Sequence, residues 1–183
     1  MANVFVMDVA HCINTALADP KDSERIKLIG KANLVVGDQL SLDSLLTVSK
    51  KVGKIDLLID DGGHTMIMQR LTFMVMFPQM SPGGIYFIED MSTSSTPRKS
   101  QDNFQDANGE TSVSLVAELI MMLNYVTLPA SSGPLMTVIQ PFFERVTCTK
   151  EVCAIHRNFR PSESAGFIEA HRVMIEKYAR HSD

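Results

Sequence analysis

Residues 60 to 64 read Asp-Asp-Gly-Gly-His, residues 89 and 90 read Glu-Asp, and each group directly follows a short apolar run. Carboxylates crowded at one point repel one another and raise each other's pKa unless a cation neutralises them. An oxygen-rich cluster suits a hard divalent ion such as Mg²⁺, which keeps water or substrate oxygens in its shell. His64, three residues beyond Asp61, is then placed to serve as a base beside the ion without being a ligand. Taken singly, each residue has a plainer role. An aspartate after a strand, such as Asp38 or Asp60, often caps the next helix, and an isolated histidine is often only a satisfied loop residue. Their joint occurrence is what points to chemistry.

The surrounding elements must deliver these groups to one place. Residues 3 to 9 (NVFVMDV) form a short β-branched and aromatic run ending near Asp8, and residues 32 to 39 (ANLVVGDQ) repeat that design up to Asp38. Both predict buried strands. A helix over residues 41 to 53 follows, with Ser41 as its cap and Gly53 as its stop. The run KIDLLIDDGG is a third strand; TMIMQRLTFMVMFPQM is a helix with Met66, Leu71, Phe73, Met74 and Phe77 on its apolar face; SPGG is a turn; GIYFIEDMS is a fourth strand. Residues 93 to 110 have no periodicity and predict a mobile loop, residues 111 to 126 a helix, residues 142 to 157 an antiparallel hairpin, and residues 164 to 181 a terminal amphipathic helix. Alternating strands and helices predict an α/β domain with a mostly parallel sheet closed at one edge by the hairpin. Ligands of such sheets bind outside the carboxyl ends of the strands. Asp8, Asp38, Asp60, Asp61, Glu89 and Asp90 all stand at such ends, so the topology predicts that they converge on one rim.

Composition narrows the partners. A chain of 183 residues with 45% hydrophobic content predicts one domain, residues 1 to 183, with a single core. A net charge of −4 and the absence of a basic run offer no footprint for nucleic acid or an anionic membrane surface. No apolar run reaches spanning length, and the N-terminus lacks the layout of a secretion signal. The cysteines, Cys12, Cys148 and Cys153, are odd in number and predict small buried hydrophobes in a reducing compartment, with the cytoplasm as the default. Cys148 and Cys153 flank a turn at Thr149-Lys150-Glu151 and so could lie close together, but two thiols without further ligands make a poor metal site.

The stretch LLIDDGGHTMIMQRLTFMVMFPQMSPGGIYFIEDMSTS resembles the central part of class I S-adenosylmethionine-dependent methyltransferases. Within that class it is most similar to the metal-dependent O-methyltransferases of macrolide sugars, which are related to the cephalosporin hydroxylase-like family. The family's I-D-D-G-x-H block, P-G-G turn and I-E-D block all have counterparts here, and the resemblance spans roughly residues 4 to 160. It implies a Rossmann-like fold that binds S-adenosylmethionine and Mg²⁺. Asp61, Glu89 and Asp90 would hold the metal and His64 would be the general base. Asp8 would accept from the ribose hydroxyls, Asp38 and Gln39 would approach the adenine, and Asp60 would lie on the cofactor side. Gly63 stands where better-known members carry serine. The resemblance begins at the family's second strand, which implies that the first strand and its glycine-rich turn are missing from this chain.

The implied reaction transfers an activated methyl group to a hydroxyl of a sugar or comparable small molecule. A second reading is a catalytically incomplete remnant acting as a binding or oligomerisation module. Its methionine-rich helices, around residues 66 to 80 and 115 to 126, would then form part of a homo-oligomer face, although burial in their own core is the plainer role. A third, a metal-assisted hydrolase, has neither a second metal site nor a nucleophile elbow to support it.

Overall fold

The computed structural model describes residues 5–8, 33–94, 112–124 and 139–159. The chain divides into two compact units, Met1–Gly53 and Lys54–Asp183. In the first unit, β1 (Phe5–Asp8) and β2 (Asn33–Val36) pair in parallel, Asp8 opposite Val36, and helix α1 covers Leu42–Val52. The helix begins as its sequence predicts. The Ser41 hydroxyl accepts the Ser44 N–H at 3.3 Å, Asp43 sits in the first turn, and Lys50 and Lys51 sit in the last, each charge opposing the helix dipole. Gly53 ends it at φ 74°, donating its N–H to Ser49 at 2.9 Å. Leu45, Val48 and Ser49, at helical spacing, are the buried residues.

The second unit is built on a four-stranded sheet of order β3-β4-β6-β5, with β3 at Ile55–Asp60, β4 at Met80–Ile88, β5 at Phe143–Cys148 and β6 at Cys153–Arg157. β3 and β4 are parallel; β6 is antiparallel to both β4 and β5. The hairpin therefore closes one edge of the sheet as expected, with β6 in the interior and β5 outermost. Helix α2 (Met66–Met76) makes the crossover between β3 and β4, and helix α3 (Ser112–Asn124) precedes the hairpin. The core gathers Met66, Phe73, Met74, Phe77, Met80, Tyr86, Ile88, Leu115, Leu119, Ile139 and Ile155, all nearly inaccessible. Phe73 lies 4.9 Å from Phe77 between ring centres and meets the Tyr86 ring edge-on at 5.3 Å. Such pairs contribute roughly 0.5–1.5 kcal/mol beyond the area they bury. Arg70 of α2 joins Glu118 of α3 at 3.0 and 3.3 Å, a partly exposed tie on the order of 1 kcal/mol or less.

Two elements differ from the sequence expectation. The Ser81-Pro82-Gly83-Gly84 stretch, expected as a turn, lies inside β4: Met80 pairs with Ile55, the chain bulges, and pairing resumes with Ile85 opposite Leu57. Turn chemistry is used there to make the bulge, with Gly83 at φ 80°. The cysteines differ more. Cys148 and Cys153, expected as separate buried thiols, are joined in a disulfide with their Cα atoms 4.1 Å apart. Direct pairing across the hairpin brings the two together, and spacing alone could indicate only proximity. Of the loop predicted over residues 93 to 110, residues 93 and 94 instead end a short 3-10 helix, Met91–Ser94, and the remainder, with Cys12 and the terminal helix over 164 to 181, lies outside the described residues.

Gly84 carries the bulge. A Cβ added there would stand 2.9 Å from the Ser81 carbonyl oxygen and 3.1 Å from that of Asp56, both backbone atoms. Gly84→Ala is expected to destabilise the chain by about 1–3 kcal/mol through this overlap. Thermal denaturation checks it: an unchanged midpoint would mean that the bulge is not packed this closely.

Candidate metal centre at the ends of β3 and β4

Asp60 closes β3 and Ile88 closes β4, and the two are register partners, so the residues that follow each strand leave the sheet side by side. The Glu89 N–H donates to the Asp60 carbonyl at 3.0 Å and extends that pairing by one step. Asp61 and Asp90 come next. Beyond Asp61, Gly62 and Gly63 turn the chain, the Thr65 N–H donates to the Gly63 carbonyl at 2.7 Å, and the Thr65 hydroxyl caps α2 by accepting the Met68 N–H at 3.4 Å. His64 is thereby held between strand end and helix start.

The result is one cluster. Asp61, His64 and Asp90 each offer a ligand atom, and these atoms all lie within 4.8 Å of one another. The His64 Nε2 is 3.3 Å from Asp90 Oδ2. Its other ring nitrogen, Nδ1, is buried and has no hydrogen-bond partner among the described residues, so the ring meets its surroundings through Nε2. Two ligands across a six-coordinate magnesium stand about 4.2 Å apart, twice the usual ~2.1 Å bond. A group spread over at most 4.8 Å needs little closing to reach that size. Oxygen donors from two aspartates also match the hardness of the ion. The residues present fit a divalent cation.

Backbone conformation marks the same residues. Among the described residues, the two non-glycine positions with positive φ are His64 at 53° and Asp90 at 56°. Such conformations cost of order 1–3 kcal/mol each and persist where surrounding structure fixes them. Here the two strained residues touch each other across the cluster.

Beneath the cluster lies a buried polar layer. The Asp60 carboxylate points inward, 3% exposed, and accepts the Tyr86 hydroxyl at 2.9 Å. Burial, then the charge of Asp60 and its hydrogen bond, push the Tyr86 pKa well above its ordinary value, so the phenol stays a donor. From α2, the wholly buried Gln69 donates its side-chain amide to the Glu89 carbonyl at 3.2 Å. One strand end is thus tied through a side chain and the other through the main chain.

Six acids were expected on one rim. Asp61 and Asp90 meet there with His64. Glu89 is half-buried at the same strand end, but its carboxylate is not in the 4.8 Å group; its amide and carbonyl are the groups tied to β3 and α2. Asp60 faces the core. Asp8 and Asp38 belong to the first unit, at the same end of its parallel pair. There Asp38 is exposed, and its carboxylate accepts the Leu40 N–H at 2.9 Å while its own N–H donates to Ser44 Oγ at 2.8 Å. Gln39 is half-buried beside it. Tyr86 and Gln69 were missed as supports. A glutamine in helical register with Met66 and Phe73, on a face otherwise apolar, was the signal that could have exposed one of them.

Removing the Tyr86 hydroxyl should take one hydrogen-bond donor from the buried Asp60 carboxylate. Tyr86→Phe is expected to lower stability by about 1.5–3 kcal/mol, the range for hydrogen bonds to charged groups. Urea denaturation measures this, and a midpoint equal to that of the parent would show that the bond contributes nothing net.

No family model matches the chain. Over 99 residues, 54% of its length, it is 37% identical to demethylmacrocin O-methyltransferase from Streptomyces fradiae. It is 33% identical over 103 residues to 8-demethyl-8-alpha-L-rhamnosyl tetracenomycin-C 2'-O-methyltransferase from Streptomyces olivaceus, covering 56% of the chain. It is 36% identical over 97 residues to mycinamicin VI 2''-O-methyltransferase from Micromonospora griseorubida, covering 52%. The matched stretches make up 25%, 27% and 24% of those proteins, so the chain spans about a quarter of the length of these relatives. Among solved structures, MycE methyltransferase in complex with Mg and SAH superposes with a TM-score of 0.63 at 21% identity, covering 92% of this chain and 42% of that one. The MycE complex with Mg, SAH and mycinamycin VI gives 0.61, also at 21%, covering 90% and 38%. The chain therefore has the Rossmann-like fold of that methyltransferase, as the resemblance implied, within the α/β class that the alternation of strands and helices implied, and its sheet is mixed.

Proposed function

We propose that this chain carries the metal- and cofactor-binding part of an S-adenosylmethionine-dependent, Mg²⁺-assisted O-methyltransferase acting on a hydroxyl of a sugar-like small molecule. The observation that carries this reading is the meeting of Asp61, His64 and Asp90 at the ends of two paired strands. The relatives named as sugar O-methyltransferases align over about half of the chain and support it.

In this reading Asp61 and Asp90 hold the cation, with Glu89, at the same strand end, as a third carboxylate. When bound, magnesium would lower the pKa of the acceptor hydroxyl and orient it. His64 removes the hydroxyl proton at Nε2. Asp90 Oδ2 stands 3.3 Å from that nitrogen. The methyl group on a sulfonium is already activated, so the remaining task is alignment of the oxygen with the sulfur–methyl bond. We assign Asp8 to the ribose hydroxyls and Asp38 with Gln39 to the adenine. Asp60, which faces Tyr86, we assign to support of the strand ends.

Calorimetry with S-adenosylmethionine in the presence of Mg²⁺ tests the reading. Micromolar binding is expected, and no binding at millimolar concentration would overturn it. Asp61→Ala is expected to lose both cation binding and turnover, whereas His64→Ala keeps cation binding and loses at least a hundredfold in kcat, within the roughly 10²–10⁴ that general-base catalysis contributes. Equal turnover of His64→Ala and the parent would remove the base assignment. A second reading, a binding or oligomerisation module, draws on α3, where Val113, Ile120, Met121 and Leu123 are exposed. The same calorimetry separates the two.

A further inference from the structure

The β5–β6 hairpin ends in a covalent clasp. Cys148 and Cys153 are direct partners in the antiparallel ladder, bonded through their sulfurs. Within the turn, the Thr149 N–H donates to the Val152 carbonyl at 2.8 Å, and the Thr149 hydroxyl both donates to that carbonyl and accepts the Val152 N–H, each at 3.2 Å. Cys153 also stands opposite Ile88 of β4, so the turn lies at the same end of the sheet as Asp90.

From that position the turn grips the chain just past the cluster. The Met91 N–H donates to the Glu151 carbonyl at 3.0 Å. Ser92 hydrogen-bonds the Glu151 carboxylate through its side chain and its backbone, which, with a smaller contribution from Lys150, holds the Glu151 pKa below the usual glutamate range. Asp90 immediately precedes these two anchored residues and is itself in the left-handed region, at φ 56°. A residue held in that region depends on the chain being fixed on either side of it. On one side the fixing bonds run from Glu89 to Asp60 and Gln69; on the other they run to Glu151.

We propose that Glu151 is a positioning residue for Asp90, and that the Cys148–Cys153 disulfide, by freezing the turn that carries Glu151, makes the cation affinity of the cluster responsive to thiols. The inference rests on the metal reading above. Cys153 is 2% exposed whereas Cys148 is exposed, so an external thiolate reaches the bond at the Cys148 sulfur. A small dithiol supplies the two electrons: one of its thiolates attacks the Cys148 sulfur and releases Cys153 as a thiolate, which takes up a proton. The second thiol of the reagent then displaces Cys148, leaving two protein thiols and a cyclic disulfide.

The test measures Mn²⁺ binding to the 183-residue chain by electron paramagnetic resonance of the free ion. It compares oxidised chain with chain reduced by dithiothreitol and freed of the reagent, with thiols counted by titration. Reduction is expected to weaken Mn²⁺ binding at least fivefold. The C148S/C153S variant should bind like the reduced chain and ignore dithiothreitol, and Glu151→Ala should bind more weakly than the parent with its disulfide intact. A disulfide that was merely structural would lower the melting temperature on reduction and leave Mn²⁺ affinity at 25 °C unchanged. That outcome, with complete reduction verified, overturns the proposal, and the wild-type comparison stands even if the double variant fails to fold. Asp61→Asn separates the two levels. If it leaves Mn²⁺ binding intact, the metal reading falls and takes this proposal with it; if it abolishes binding while thiol state has no effect, only the clasp is refuted.

Discussion

The parallel register of β3 and β4 is the constraint on which the site depends. Asp60 opposite Ile88 sends one aspartate of the Asp60-Asp61 pair inward to Tyr86 and leaves the other at the rim beside Asp90. Because side chains alternate across a strand, a slip of one residue would exchange those roles, burying the rim carboxylate and exposing the supporting one. The inward bond from Tyr86 and the Gln69 bond to Glu89 both oppose such a slip. Adjacent acids in sequence thus do different work because the pleat separates them.

Strength in this design comes from the buried floor, while the candidate metal ligands stand at the edge. The floor is made of Phe73, Phe77, Tyr86 and Ile88, with Gln69 and Thr72 as buried polar members. Arg157, from β6, donates to the Met80 carbonyl where β4 begins and stacks over Phe142 at 5.3 Å from the ring centre. Burial lowers its pKa from the ordinary value, and the carbonyl together with the ring face offsets part of the desolvation. The far end of β4 is therefore anchored independently of the end that carries Asp90.

Much of this was legible in residue order. Period and capping located α1 to within a residue, since Ser41 and Gly53 act locally and need no tertiary partner to do so. The hairpin was legible for the same reason, its turn lying between Cys148 and Cys153. Of the site, Asp61, His64 and Asp90 were visible because they follow strands that end at a common rim. What sequence could not supply was direction. Nothing in Asp60-Asp61 says which carboxylate points inward until Ile88 is known to stand opposite Asp60. The disulfide was hidden because its formation depends on the two cysteines being exact cross-strand partners, which spacing permits but does not require. The bulge at residues 81 to 84 was hidden because the same residues make turns.

The left-handed backbone at His64 and Asp90 sets the molecule's durability against the make-up of its side-chain cluster. Glycine at either position would relieve a conformational penalty of order 1–3 kcal/mol, against the roughly 0.4–1 kcal/mol gained by the more flexible unfolded chain. The sturdier molecule would lack the imidazole or the carboxylate. Selection for heat resistance alone would therefore tend to erode the cluster itself, since relief comes only by removing one of its side chains.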